Sequence, residues 1–186
     1  MNTTDNVPHQ PQRWTKTKRE TLLKTRIFDV NADYYRHPVT NEERDYFNVS
    51  APDWVNIVAL TPERQVVVVR QFRVGINDFS WEIPGGVIDK GEDPVVAGMR
   101  ELREETAYTA PAPRLLASVR PNPAFLENTC HYILAENAVL DPNGTHWDHD
   151  EEFEIRLVPL DEIYDWIRQG RIQHSLVLNA LLLLKL

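Results

Sequence analysis

GVIDKGEDPVVAGMRELREETAY, running from Gly86 to Tyr108, is the stretch on which the reading of the whole chain turns. Pro94 suits the first turn of a helix, where its fixed φ is helical and its missing N–H is not needed. Val95, Met99 and Leu102 follow at helical spacing, which predicts a helix to about Thr106 with one face turned to a core. On that helix Glu101 lies three residues before Glu104 and four before Glu105, so the three carboxylates share a face. Like charges so placed repel unless cations neutralise them, and only Arg100 and Arg103 stand close by in sequence. Clustered oxygen ligands of this kind suit Mg2+ or Mn2+, which keep several waters and also take phosphate oxygens.

Taken alone, RELREE is the composition of a solvated helix face, the commoner meaning of a charge run. Its surroundings favour the metal reading. Upstream, Ser80 to Gly86 (SWEIPGG) predicts a short strand stopped by Pro84 and two glycines, which permit close backbone approach. A fourth glutamate, Glu92, stands in the loop just before the helix.

Outward from this centre the pattern is mixed α/β. Asn56–Leu60 and Gln65–Gln71 are apolar, β-branched runs separated by Thr61, Pro62, Glu63 and Arg64, which predicts a hairpin of buried strands. Toward the N-terminus, strands are expected over Thr25–Val30, Ala32–Tyr35 and Tyr46–Val49, the last two separated by the polar turn HPVTNEER. Toward the C-terminus, Leu115–Val119 and His131–Ala135 read as strands flanking an irregular stretch, Arg120 to Asn128. Residues 141–151 form a polar loop rich in acids. A strand over Glu154–Leu160, a helix over Leu160–Gln169 ended by Gly170, and a final helix over Ser175–Leu186 complete the order. The expected organisation is a flexible tail over residues 1–13, an N-terminal antiparallel β extension over 14–50 and one α/β domain over 51–186, with helices around the sheet.

Among the 186 residues, 28 acidic side chains outnumber 20 basic ones for a net charge of −8, so the field that draws in a nucleic-acid backbone is missing and no nucleic-acid partner is expected. Cys130 is the single cysteine, which excludes an intrachain disulfide and a multi-cysteine zinc site and fits a reducing, cytoplasmic setting. The polar N-terminus lacks a signal-peptide core, and the apolar run Leu181–Leu184 is far too short to span a bilayer, so no membrane association is expected.

The central stretch resembles the signature box of the Nudix hydrolase family. Gly86, Glu92, Arg100, Glu101, Leu102, Glu104 and Glu105 all fall at the box's spacing. One position departs: the box's final glycine is Ala107, followed by Tyr108 at the apolar position, and alanine there is expected to alter local backbone geometry rather than remove chemistry. The resemblance implies a Nudix α/β/α sandwich with a mixed β-sheet. It also implies hydrolysis of a nucleoside diphosphate linked to another moiety, with Mg2+ or Mn2+ as cofactor. Glu101 and Glu105 would be the main metal ligands, Glu104 would share or support them, the Gly85 carbonyl would complete the site, Arg100 would orient the glutamates, and Glu92 would stand behind the ligands or serve as an auxiliary one.

VRQFRVGINDFSWEIPGG is similar to the segment preceding the box in ADP-ribose pyrophosphatases and related nucleoside-diphosphate-sugar hydrolases. By that likeness Arg73 would contact a phosphate or ribose and Glu82 a sugar or base group, with Arg70 nearby. Pro123 stands where the subgroup carries a proline, whereas PNPAFLEN lacks a glycine usual there. The catalytic base would come from a late loop, with Glu151 or Glu152 as candidates beside Asp148 and Asp150. Plainer readings stand next to these: Arg70 and Arg73 as edge-strand charges, Trp54 and Phe72 as core aromatics rather than stacking platforms, and the loop acids as solvating groups. The subgroup's dimerisation region corresponds to the N-terminal strands, so a homodimer is expected. ADP-ribose leads as the small-molecule nucleotide substrate. GDP-mannose, NADH or another dinucleotide, a capped RNA end, or a non-catalytic nucleotide-sensing role stay open, the last weakened by the intact box glutamates.

Overall fold

The computed structural model describes residues 10–144 and 152–186. They divide into two compact units, one holding the N-terminal residues to Ala51 together with Ala124–Glu127, the other Pro52–Pro123 and Asn128–Leu186.

The first unit is an antiparallel sheet of β1 (Thr15–Lys24), β2 (Asp29–Arg36) and β3 (Glu43–Ser50), in that spatial order. Of the strand expected over Thr25–Val30, only Asp29 and Val30 are strand, as the start of β2. Thr25–Phe28 is the turn between β1 and β2, where Thr25 Oγ1 accepts from the N–H groups of Ile27 and Phe28. β1 was invisible in the sequence because all ten of its residues are exposed, which leaves no alternation of apolar and polar positions to read. The sheet is centred instead on a buried carboxylate: Asp33 accepts from Lys16 Nζ at 2.6 Å, from Arg19 Nε at 2.7 Å and from the Asn48 amide. Arg19 also grips Glu127, whose segment hydrogen-bonds to β3 through Val49 N–H to Phe125 O at 2.8 Å.

In the second unit the elements are β4 (Trp54–Leu60), β5 (Gln65–Arg73), β6 (Asp78–Glu82), β7 (Gly85–Val87), α1 (Pro94–Thr106), β8 (Tyr108–Thr109), β9 (Arg114–Val119), β10 (Cys130–Glu136), β11 (Val139–Leu140), β12 (Glu154–Pro159), α2 (Leu160–Arg168) and α3 (Ser175–Lys185). The main sheet runs β12-β5-β4-β10-β9, with β6 added to β5 and β7 to β4. β10 and β4 are parallel and every other pair is antiparallel, which makes the sheet mixed. A further small pair, β11 with β8, lay outside the expected elements. Where one strand was expected over Ser80–Gly86 there are two: Ile83 and Pro84 break the ladder, and the glycines open β7 rather than close β6.

Alternation along the central strands sorts their side chains to two cores. Val55, Ile57, Ala59, Val67, Ile133 and Ala135 pack with Ala97 and Leu102 of α1. Val58, Leu60, Val66, Val68, Tyr132 and Leu134 pack with Ile163 and Trp166 of α2 and Val177, Ala180 and Leu181 of α3. The α/β/α sandwich follows from this two-sided burial, worth about 1.5–3 kcal/mol for each large aliphatic residue. Helix α1 starts at Asp93, whose carboxylate accepts from Val95 N at 2.9 Å and Val96 N at 3.3 Å. It ends at Ala107 in the left-handed region, φ 59° and ψ 15°. Alanine has therefore not altered the backbone geometry that the box glycine would supply. It adopts that geometry and carries the Cβ strain that glycine avoids.

Candidate active site

Helix α1 lies close on the sheet because Gly98 faces it: a Cβ there would stand 2.8 Å from Ile133 Cγ1 and 3.2 Å from Ile57 Cγ1. One turn later Glu101 lies over Gly86, where a Cβ would come within 2.5 to 2.8 Å of the carboxylate atoms. Another turn on, the buried Glu105 accepts at Oε2 from the Gly85 N–H at 3.1 Å. Gly85 itself is pressed against β4, with room for no Cβ beside the Val55 carbonyl at 2.3 Å. Both box-adjacent glycines thus serve close approach, Gly85 to the neighbouring strand and Gly86 to a glutamate.

Arg100 binds the carboxylate row together. Its Nε and Nη2 each donate to Glu92 at 3.0 Å, its Nη1 donates to Glu101 at 2.8 Å and Glu104 at 3.1 Å, and its Nη2 reaches the Val87 carbonyl at 3.1 Å. Five contacts from one planar group fix the aim of three glutamates on two segments. Glu92 is the largest influence holding the Arg100 guanidinium protonated above its usual value, with Glu101 and Glu104 adding to it against partial burial. Reciprocally, Arg100 first, and the Asp89 N–H behind it, hold the Glu92 carboxyl below its ordinary value. Glu92 spends both oxygens on Arg100 and one of them also on Asp89 N–H. These bonds place it behind Arg100, the first of the two roles expected of it.

The donors on this face, Glu101, Glu104 and Glu105 with the Gly85 backbone nearby, are all oxygens, so in kind they fit a hard divalent cation. Among the described residues, no three acidic, histidine or cysteine side chains yet converge into a ready-made cage. Arg100 pairs with Glu101, Glu104 and Glu92 along this face.

Residues predicted to meet substrate are distributed more widely. Arg73 and Glu82 hold each other through two parallel bonds of 2.8 and 2.7 Å, a pairing that β5 and β6 create by folding back on one another. Burial pushes the Glu82 carboxyl up, but the bonds and charge of Arg73, helped by His174 and Ser80, outweigh it and leave it below its usual value. Glu82 is 1% exposed and braces Arg73 from below the surface. Trp54 packs, partly buried, against the α2/α3 core, in keeping with the plainer of the two readings open to it. Arg70 pairs with Glu154 at 3.2 Å and lies over Phe79 and Trp81. Trp81 meets Trp166 of α2, so Arg70 is on the sheet face opposite α1. Glu152 lines a cavity with Arg70, Gln71 and Phe72. Glu151, Asp148 and Asp150 lie outside the described residues. The sequence reading passed over Phe79 and Glu154; a hydrophobic residue two before Trp81 on an exposed strand was the available signal.

A mixed sheet between helices, with an acidic helix face laid over a glycine-opened strand, is an α/β sandwich of the kind the signature box implies. Residues 52–180 match the model of the NUDIX domain, and the chain belongs to the Nudix family. It is a Nudix hydrolase of the ADP-ribose pyrophosphatase-like subgroup, acting on pyrophosphate bonds. The chain is 31% identical over 169 residues to a methanol dehydrogenase activator of Bacillus methanolicus, covering 91% of each. It is 30% identical over 138 residues to an ADP-ribose pyrophosphatase of Bacillus subtilis, covering 74% of this chain and 75% of that one. The crystal structure of an ADP compounds hydrolase superposes with a TM-score of 0.84 at 22% identity, covering 96% of this chain and 95% of the other, and supports the fold.

Proposed function

We propose that this enzyme hydrolyses the pyrophosphate of a nucleoside diphosphate sugar, ADP-ribose foremost, to AMP and ribose 5-phosphate, with Mg2+ or alternatively Mn2+ as cofactor. The observation that carries this reading is the carboxylate row of α1, aimed by Arg100 and anchored on Gly85 and Gly86. Relatives named as ADP-ribose pyrophosphatases support the choice of substrate. Glu101, Glu105 and the Gly85 carbonyl would hold the divalent cation, with Glu104 in support. When bound, that cation neutralises pyrophosphate charge and acidifies the attacking water. Arg73, braced by Glu82, binds a phosphate or ribose. Glu151 remains the candidate to accept the proton of the attacking water.

The test is a hydrolysis screen of ADP-ribose, GDP-mannose, NADH, FAD and nucleoside triphosphates with Mg2+ or Mn2+. Turnover of ADP-ribose above the rest is expected; no metal-dependent turnover of any of them would sink the proposal.

The same reading assigns a tail to residues 1–13, a β extension to 14–50 and the hydrolase domain to 51–186, in a cytoplasmic homodimer. Leu22, Leu23, Ile27 and Phe47, all exposed on the N-terminal sheet, support an association surface. Light scattering at about twice the 21.6 kDa chain mass is expected, and a monomer mass would count against the dimer. No helix among the described residues is long and apolar enough to cross a membrane.

A further inference from the structure

We propose that the cavity on the far face of the β5–β6 hairpin is a second, non-catalytic site that binds a nucleobase bearing an exocyclic amino group. The cavity has a volume of about 560 Å³, within the range of small-molecule sites, and is lined by Arg70, Phe72, Val74, Phe79, Glu152 and Glu154 among others.

Its place in the fold separates it from the chemistry. Cross-strand register sets Arg70 opposite Trp81 and Phe72 opposite Phe79 on one face of the hairpin. That face belongs to the α2/α3 side, since Trp81 joins the core there and meets Trp166 with ring centroids 5.2 Å apart. The carboxylates of α1 lie over Gly86, on the other side.

The walls select a ligand chemistry. Phe72 and Phe79 stand edge to face, 5.7 Å between centroids and 79° between planes, yet remain 49% and 54% exposed. Half-exposed aromatic rings inside a concavity offer a stacking platform to a planar group. Beneath them the Arg70 guanidinium lies 4.6 Å from the Phe79 ring centre; it shares Glu154 with Arg156, and with Glu152 also on the wall the two positive and two negative groups balance, so little net positive charge is left to attract a phosphate. Glu152 adds a carboxylate, which accepts from N–H donors and repels anions. A neutral nucleoside with an amino group, such as adenosine, fits these walls; inosine, which presents an oxygen at the same position, does not.

The inference rests on the Nudix reading only in taking nucleosides as the ligand class, and its test is independent of hydrolysis. Adenosine and inosine are titrated into the full-length protein in EDTA and followed by calorimetry. Wild type should bind adenosine saturably and inosine about 10-fold more weakly, a step of the size set by one lost hydrogen bond and one unfavourable contact. Phe79→Ala should weaken adenosine about 10-fold while keeping turnover of ADP-ribose. Glu152→Gln should erase the preference for adenosine over inosine. Glu105→Gln should leave adenosine binding as it was, whatever happens to turnover. Absence of saturable binding, equal affinity in Phe79→Ala, or no discrimination between the two nucleosides in wild type would each overturn the proposal. A wild type that binds adenosine in this way yet hydrolyses nothing would overturn the catalytic reading alone.

Discussion

Glu105 Oε2 and the Gly85 N–H, separated by twenty positions in the chain, meet at 3.1 Å and pin helix α1 to the strand that faces it. The carboxylate is 3% exposed, so its position is set by the fold before any cation arrives. Glu105→Gln keeps an oxygen to accept from Gly85 but loses the charge. We expect kcat on a pyrophosphate substrate to fall by about 100-fold or more, the scale of losing a key electrostatic group. The melting temperature should move little. Steady-state kinetics beside a thermal melt check both halves; unchanged kcat would remove Glu105 from the metal site.

Gly85 and Gly86 should respond differently to the same substitution. A Cβ at Gly86 meets the far end of the Glu101 side chain, which can swing away, so Gly86→Ala should fold and lose activity. A Cβ at Gly85 meets the Val55 carbonyl at 2.3 Å, a backbone atom in the central strand. Gly85→Ala should therefore cost about 1–3 kcal/mol of stability. Chemical denaturation and activity assays on the pair separate the two outcomes. A Gly86→Ala enzyme with full activity would show that Glu101 has no need of its place over that glycine.

Much of this centre was legible because its information is local. Pro94, Val95, Met99 and Leu102 announce α1 within a single helix, and the glutamates share a face by spacing alone. The Arg73–Glu82 pair was not legible, since their meeting depends on how β5 and β6 pair. The Arg70–Glu154 pair was hidden for the same kind of reason, since only the β12–β5 register sets the two opposite one another. β1 escaped because strand periodicity appears only where one face is buried, and none of β1 is.

Ala107 gives a prediction of opposite sign to the usual mutation. Its φ of 59° holds a Cβ against the following carbonyl, while its N–H still bonds to Arg103 O at 2.9 Å to close the helix. Ala107→Gly relieves the strain at some cost in unfolded-state entropy. A net gain of about 1 kcal/mol is expected, raising the melting temperature by about 2–4 °C. Activity should be unchanged, because the residue's role ends with the turn. A lower melting temperature in the variant would mean that packing of the buried methyl outweighs the backbone strain.

Glu82 makes the pH dependence of stability partly attributable to one group. Its folded carboxyl is held below the ordinary value of 4.5, because the Arg73 bonds outweigh the upward push of burial. A carboxylate depressed on folding contributes stability that is fully present above its unfolded pKa and disappears as pH falls through the lower, folded one. Glu82→Gln cannot gain this contribution at any pH. At pH 7 the variant should be less stable by about 1–3 kcal/mol, the range for breaking a partly exposed, bidentate pair. As pH drops below about 4.5 the wild type gives up its advantage while the variant has none to lose, so the two denaturation midpoints should converge. Parallel urea titrations at neutral and acid pH measure that convergence. A constant gap between the two proteins across the whole range would mean that Glu82 is held by its packing and not by the charge of Arg73.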